Sequence, residues 1–509
     1  MVPQMDDASY RKIQDQFYSN LNGTSPLEIG LVLSAAPVCV LLRSILLPWL
    51  FGSAVRFGLW TNHLLDFGLL IFPIILCCTV WSEYLQAVIV SMIFMILALL
   101  TTNLGTGTKA QTSKQSVSTL SESLQLTVEG KRPFISNFRA YGLIGTAISI
   151  LAVDFVIFPR RFAKTETYGT GFMDYGVGGF IICNAVVSLE ARGKNKQNRG
   201  FSASIANILQ AIKSTAPLLI LGFGRLVSVK AADYHEHISE YGVHWNFFFT
   251  LAAVRVLSAL VLTFFSPRMS WIISLAVAVG YQYCLTNLGL EHFVLHGSDG
   301  NNTREGLLNA NREGVFSSFG YLALYFAGVQ LGIFLFKKRS TLQDWCRVCV
   351  VLLISDVSLW VIFSLCTETI QPVSRRTANL SFIIWSFAYS VHLLATFLLT
   401  DLITTFSMVM GFIPAPSSDV KGQKPNTVKG HTKNAPTIPE SKFCLLAAIN
   451  RNQLLYFLLA NILTGVVNMT MQTILQPPNI GLVAVSCYMY VLGFFLVILH
   501  AMNITTKVW

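Results

Sequence analysis

Charge is what this sequence has least of. Only 12% of its 509 residues are Asp, Glu, Lys or Arg, while 53% are hydrophobic. A soluble chain carries roughly 25% charged residues, so a soluble enzyme with one anchor is excluded. Short catalytic signatures are missing as well. No His is followed five positions later by Asp, and no GxSxG elbow, HExxH pair or GxxxxGK[ST] loop is present. These gaps argue against a glycerolipid-type acyltransferase, a serine hydrolase, a zinc hydrolase and an ATP-driven pump. No basic stretch with a small-residue cleavage site precedes the first apolar run, so no cleaved signal peptide is expected. Most of the ten cysteines lie inside apolar runs. Cys77, Cys78, Cys183, Cys284, Cys366 and Cys487 sit in apolar runs, where the residue packs as a small hydrophobe. Cys346 and Cys349 form one CxxC, too few ligands for a zinc site. The net charge of +11 comes without an aromatic-plus-basic signature, so no nucleic-acid partner is expected.

What is there instead is a series of apolar runs of roughly 20 residues, the length a helix needs to cross hydrocarbon. They cover 27–50, 64–82, 84–102, 138–158, 173–190, 214–231, 246–266, 270–290, 314–336, 346–366, 380–412, 452–475 and 480–501. The expected fold is all-α: a polytopic integral membrane protein with about 13 transmembrane helices. The whole chain, 1–509, reads as one membrane domain. The 380–412 run fits either one tilted helix or two short spans. Residues 103–137 and 414–440 are polar, lack apolar periodicity and read as flexible cytosolic loops.

Basic residues sort by side. With the N-terminus outside the cytosol and the C-terminus inside, the cytosolic loops collect Lys109, Lys114, Lys131, Arg132, Arg192, Lys194, Lys337, Lys338, Arg339 and Lys421. That is the excess expected of cytosolic loops. The sequon at Asn22 falls on the opposite side, as does a second at Asn301. A glycan is expected on Asn22. The cations on the wrong side are Arg160, Arg161, Lys164, Arg304, Arg312, Arg375 and Arg376. They are candidates for holding an anion such as a lipid or CoA phosphate.

The segment Asp154–Tyr168, DFVIFPRRFAKTETY, carries the densest of these charges and leaves the end of an apolar run. Charge at a bilayer boundary is costly and is usually retained for function. Pro159 ends or breaks the helix about one turn after Asp154. That carboxylate then either faces a cavity as a general base or staples the helix end to Arg160 or Arg161. Lys164, ten positions on, either returns over the helix end toward Asp154 as an oxyanion partner or snorkels. Arg160, Arg161, Thr165, Glu166 and Tyr168 are the substrate-binding candidates of the same stretch. The glycines of YGTGFMDYGVGGF read as close helix packing, and Asp174 either caps its helix or lines the cavity. Asn311, Arg312 and Glu313 either cap the next span or line the substrate entry. His235 and His237 read as a solvated loop.

Three stretches look familiar. The run Ile150–Phe180, ILAVDFVIFPRRFAKTETYGTGFMDYGVGGF, resembles the inositol acyltransferases of GPI-anchor biosynthesis, the PIG-W/GWT family. NLNGTSPLEI (20–29) and NREGVFSSFGYLALYFAGVQLG (311–332) resemble further segments of it. The resemblance implies transfer of a long acyl chain from acyl-CoA, palmitoyl-CoA above all, to the inositol ring of glucosaminyl-phosphatidylinositol. It implies a multi-pass protein of the endoplasmic reticulum membrane, with an intramembrane cavity for acyl-CoA and lipid and no bound cofactor. It also implies that the acidic and basic catalytic pair falls on Asp154 and Lys164, with either residue carrying the proton. The rival expectation is a secondary transporter or flippase built around the same two charges.

Overall fold

The computed structural model describes residues 6–52, 57–105, 124–127, 132–193, 201–231, 240–413 and 443–506. The expected 414–440 loop, most of the 103–137 loop, His235 and His237 lie outside the described residues. Among those described, the structure is helical. The extended pairings there are two isolated bridges, Gly23 with Thr170 and Thr127 with Thr341.

A short amphipathic helix, α1 (Asp7–Phe17), precedes the bundle. Then come α2 (Pro26–Phe51), α3 (Leu59–Cys77), α4 (Leu85–Gly105), α5 (Pro133–Ala152), α6 (Phe172–Ala185), α7 (Phe201–Ala231) and α8 (Phe247–Phe264). They are followed by α9 (Ser270–Asn287), the short α10 (Leu290–His296) and α11 (Leu307–Ala310), and α12 (Arg312–Phe336). The chain ends in α13 (Leu342–Thr369), α14 (Leu380–Val409), the short α15 (Leu445–Arg451), α16 (Gln453–Thr470) and α17 (Pro478–Ala501). Twelve of these are long and apolar enough to cross a membrane. The protein is therefore a multi-pass helical membrane protein. Helices α5, α12 and α14 bury most of their surface inside the bundle, while α4, α7 and α16 bury least. The 380–412 run is one helix, and the tail of the expected 103–137 loop is helical from Pro133 onward.

The run expected as a span at 173–190 takes a different form. Helix α6 has 14 residues, about 21 Å at 1.5 Å each, short of the ~30 Å hydrocarbon layer. The chain completes the passage as turns through Gly193. Arg192 then stacks 5.5 Å over Phe336, the last residue of α12. Irregular backbone at this depth is tolerated only when protein shelters it. Glycines provide the shelter. A Cβ on Gly178 would sit 2.5 Å from Ser386 Oγ, one on Gly328 2.7 Å from Ala185, and one on Gly332 2.3 Å from Val186 O. Small residues thus let α6 nest between α12 and α14.

Deeper in the bundle, His392 of α14 joins Asp356 of α13 (2.8 Å) to Ser34 of α2 (3.0 Å). The Ser34 hydroxyl also reaches Gly30 O at 2.7 Å. This trio is a polar staple between helices.

Candidate active site

The 153–171 connection between α5 and α6 is polar in sequence but anchored by aromatics. After Ala152 the helix loosens into turns, Pro159 prevents its continuation, and Arg160–Phe162 form a single 3₁₀ turn. Phe155, Phe158 and Phe162 are all buried. Burying three rings, each worth about 1.5–3 kcal/mol, pulls the charged residues between them down onto the bundle end.

Asp154 is 4% exposed. Tyr18, just past α1, donates its hydroxyl to Oδ1 at 2.6 Å. Asn468, near the end of α16, donates Nδ2 to Oδ2 at 2.7 Å. Both donors are neutral. Burial raises the Asp154 carboxyl above the usual range, against the pull of Tyr18, Asn468, Arg160 and Lys164. Arg160 donates to Val153 O at 2.7 Å and lies 3.8 Å over the Phe17 ring. Burial lowers its pKa to about 10.

Lys164 does not bond to Asp154. Its ammonium lies 2.7 and 2.8 Å from the two oxygens of Glu240, although its charge reaches Asp154. Burial pushes Glu240 up, but Lys164 and Arg375 outweigh it and hold the carboxyl at about 2. Arg375 links Glu240 (3.4 Å) to Asp174 (2.9 Å). Asp174 also accepts from the Thr165 N–H (3.2 Å), the Thr165 hydroxyl (2.9 Å) and the Gly171 N–H (2.9 Å). It therefore caps α6 and closes the loop on itself.

The other candidates of the stretch serve neighbouring helix ends. Glu166 accepts from Asn20 N at 2.6 Å. Tyr168 donates to Glu291, which Gln371 also reaches, and burial with Glu291 raises its phenol to about 12. Arg161 bridges Glu28 and Glu83 (2.9 and 2.8 Å) beside an open groove of about 400 Å³ at the starts of α2 and α4. Asn22 is exposed, and its carbonyl lies against Gly169 (φ +123°), where a Cβ would come within 2.3 Å.

Asn311, Arg312 and Glu313 form a separate cluster. Asn311 accepts from His244 N at 2.8 Å. Arg312, fully buried, donates to Val294 O, Thr303 O and Asn309 O at 3.0–3.1 Å. Glu313 pairs with Arg304 (2.7 Å) and Arg376 (2.8 Å). These three residues hold the 291–311 connection in place.

The hydrogen-bond and ion-pair partners of the motif sit at one end of the bundle: the end of α1, the starts of α2, α4 and α8, the ends of α9 and α16, and the α13–α14 connection. At the other end, Arg132 meets Leu335 O (2.6 Å) and Arg139 meets Gln453 (2.6 Å). Sequence reasoning did not find Tyr18, Asn468 or the Lys164–Glu240 pair. Tyr18 and Asn468 lie 136 and 314 residues from Asp154, and nothing in their local sequence marks them.

Fold and site together define a multi-pass helical membrane protein with a buried carboxylate in a charge-rich layer at one bundle end. The GWT1 family model matches residues 10–499, and the chain belongs to that family. It is 39% identical to "Glucosaminyl-phosphatidylinositol-acyltransferase PIGW" of Bos taurus, over 98% of this chain and 100% of that one. The protein of the same name from Homo sapiens is 38% identical, also over 98% and 100%. "GPI-anchored wall transfer protein 1" of Gibberella zeae is 35% identical over 99% of both chains.

Proposed function

We propose that this protein transfers a long acyl chain from acyl-CoA to an inositol hydroxyl of glucosaminyl-phosphatidylinositol, in the endoplasmic reticulum membrane. It is an O-acyltransferase of GPI-anchor biosynthesis. The observation that carries the reading is Asp154: buried, raised in pKa, and hydrogen-bonded by neutral donors instead of an ion pair. A buried carboxylate with no ion-pair partner on its oxygens is suited to accept a hydroxyl proton as a general base. The full-length likeness to proteins named for this activity supplies the substrate class.

In the reaction the inositol oxygen attacks the thioester carbonyl. Asp154 takes the hydroxyl proton as the C–O bond forms. The C–S bond then breaks, the acyl chain stays on the inositol, and CoA leaves as thiolate. The Lys164 ammonium, steered by Glu240, supplies positive charge for the oxyanion. Arg160 and Arg161 are the cations available to the lipid phosphate. The acyl chain, worth about 0.8 kcal/mol per buried CH₂, has an apolar seam between α6, α8 and α16 where Phe180, Phe247 and Phe457 meet at 5.1–6.3 Å. The motif end faces the lumen, since the basic loops lie at the opposite end.

The test is purified protein in detergent with labelled acyl-CoA and glucosaminyl-phosphatidylinositol, wild type beside Asp154→Asn. Acyl product from the wild type alone is expected. Product from both removes Asp154 from the mechanism, and product from neither leaves a transporter.

A further inference from the structure

Around Asp154 two polar atoms are buried without a partner among the described residues: Asn468 Oδ1 and Arg160 Nη1. Buried polar groups are nearly always hydrogen-bonded, so an orphan calls for an explanation. Here the two orphans flank one carboxylate. Asn468 donates Nδ2 to Asp154, and a carboxylate accepts only, so the amide cannot flip. Its carbonyl oxygen is thereby turned to face away from Asp154. Arg160 is held by Val153 O and Phe158 O through Nε and Nη2, leaving Nη1 over. The surroundings of Asp154 therefore present a proton acceptor, a second acceptor on Asn468, and one donor on Arg160.

That set is the complement of adjacent hydroxyls on a polyol ring. One hydroxyl gives its proton to Asp154. Its neighbour donates to Asn468 Oδ1, and Arg160 Nη1 donates to a ring oxygen. We propose that Asn468 is an acceptor-recognition residue, reading the hydroxyl next to the one that is acylated and so fixing which ring position reacts. The inference rests on the acyltransferase reading above and adds the residue that sets its positional specificity. Asn468 also holds Asp154 in place, so the experiment must separate reading from propping.

The experiment measures kcat/KM for intact glucosaminyl-phosphatidylinositol and for synthetic analogues each lacking one inositol hydroxyl. Wild type and Asn468→Leu are compared, with KM for acyl-CoA as the control. In the wild type, removing the hydroxyl next to the acylated position lowers kcat/KM by about tenfold, the loss of one buried hydrogen bond. In Asn468→Leu the KM for the intact acceptor rises, the KM for acyl-CoA stays, and that analogue and the intact acceptor become equivalent. An Asn468→Leu enzyme that still discriminates, or a wild type indifferent to every neighbouring hydroxyl, overturns the proposal. Where the variant fails to fold, a wild type indifferent to every neighbouring hydroxyl still overturns the proposal. Undiminished turnover by Asp154→Asn would instead sink the acyltransferase mechanism, so the two failures are distinguishable.

Discussion

Two carboxylates bracket the α5–α6 connection, and they are held in opposite ways. Asp174 meets the Arg375 guanidinium, two backbone N–H groups and a threonine hydroxyl. Asp154 meets one phenol and one amide. Both are nearly or fully buried. Burial raises both carboxyls above the usual range, Asp174 against the pull of Arg375, and the guanidinium and backbone amides fix Asp174 in position. Asp154, held by neutral donors, has no ion-pair partner at hydrogen-bond distance to compete for its proton-accepting oxygens. Burial alone does not separate the proposed base from the structural carboxylate. What separates the two is whether their partners carry charge.

Exchanging each carboxylate for its amide breaks the comparison most directly. Asp154→Asn removes the proposed base and nothing else of comparable size. Acyl transfer should fall by about 10²–10⁴-fold, with the thermal unfolding midpoint nearly unchanged. Asp174→Asn leaves Arg375 buried with Glu240 as its remaining anionic partner. Removing one member of a buried pair costs about 3–5 kcal/mol, so yield and unfolding midpoint should drop, and activity only with them. A stable Asp174→Asn protein with dead chemistry would exchange the roles assigned here.

The sequence carries one side of this contrast and hides the other. Apolar run length located twelve helices, because a bilayer imposes that length on every crossing. The thirteenth, α6, reads the same because its broken backbone is buried among equally apolar neighbours. Asp154 stood out through Pro159 and the adjoining arginines, whose cost at a membrane boundary is local. Its actual donors are not local, since helix packing alone brings Tyr18 and Asn468 there. Lys164 had two acids within reach in principle. The sequence pointed to Asp154, the nearer along the chain, while Glu240 lay in a loop that reads as solvated. Arg312 and Glu313, with the neutral Asn311 before them, drew attention by charge, and charge alone does not separate a scaffold ion pair from a ligand site.

On the Asp174 side the closure of the loop depends on backbone contact as well as charge. Gly169 adopts φ +123°, and a Cβ there would lie 2.3 Å from Asn22 O. Gly169→Ala should cost about 1–3 kcal/mol, read as a lower unfolding midpoint. A smaller loss of acyl transfer should follow as the 20–25 segment moves off the loop. An Ala variant as stable as wild type would show that this contact does not close the loop.

The smallest effect sharpens the Asp154 side, and its sign is fixed in advance. Burial raises the Asp154 carboxyl, and the Tyr18 hydroxyl is the first of the groups that pull it back down. The base acts ionised, so the rate is lost as pH falls through that pKa. Tyr18→Phe keeps the ring against the bundle and removes one donor. The carboxyl then rises further, and the acid limb of kcat/KM moves to higher pH. A neutral hydrogen bond contributes about 0.5–1.5 kcal/mol, and one pH unit is about 1.4 kcal/mol. The displacement should therefore be about half to one unit, with little change on the alkaline plateau. An acid limb that stays put while Asp154→Asn is inactive would mean that Tyr18 leaves Oδ1 once substrate is bound. A limb that moves to lower pH would mean that the proton-accepting form is not the carboxylate, and that Lys164 carries the proton instead.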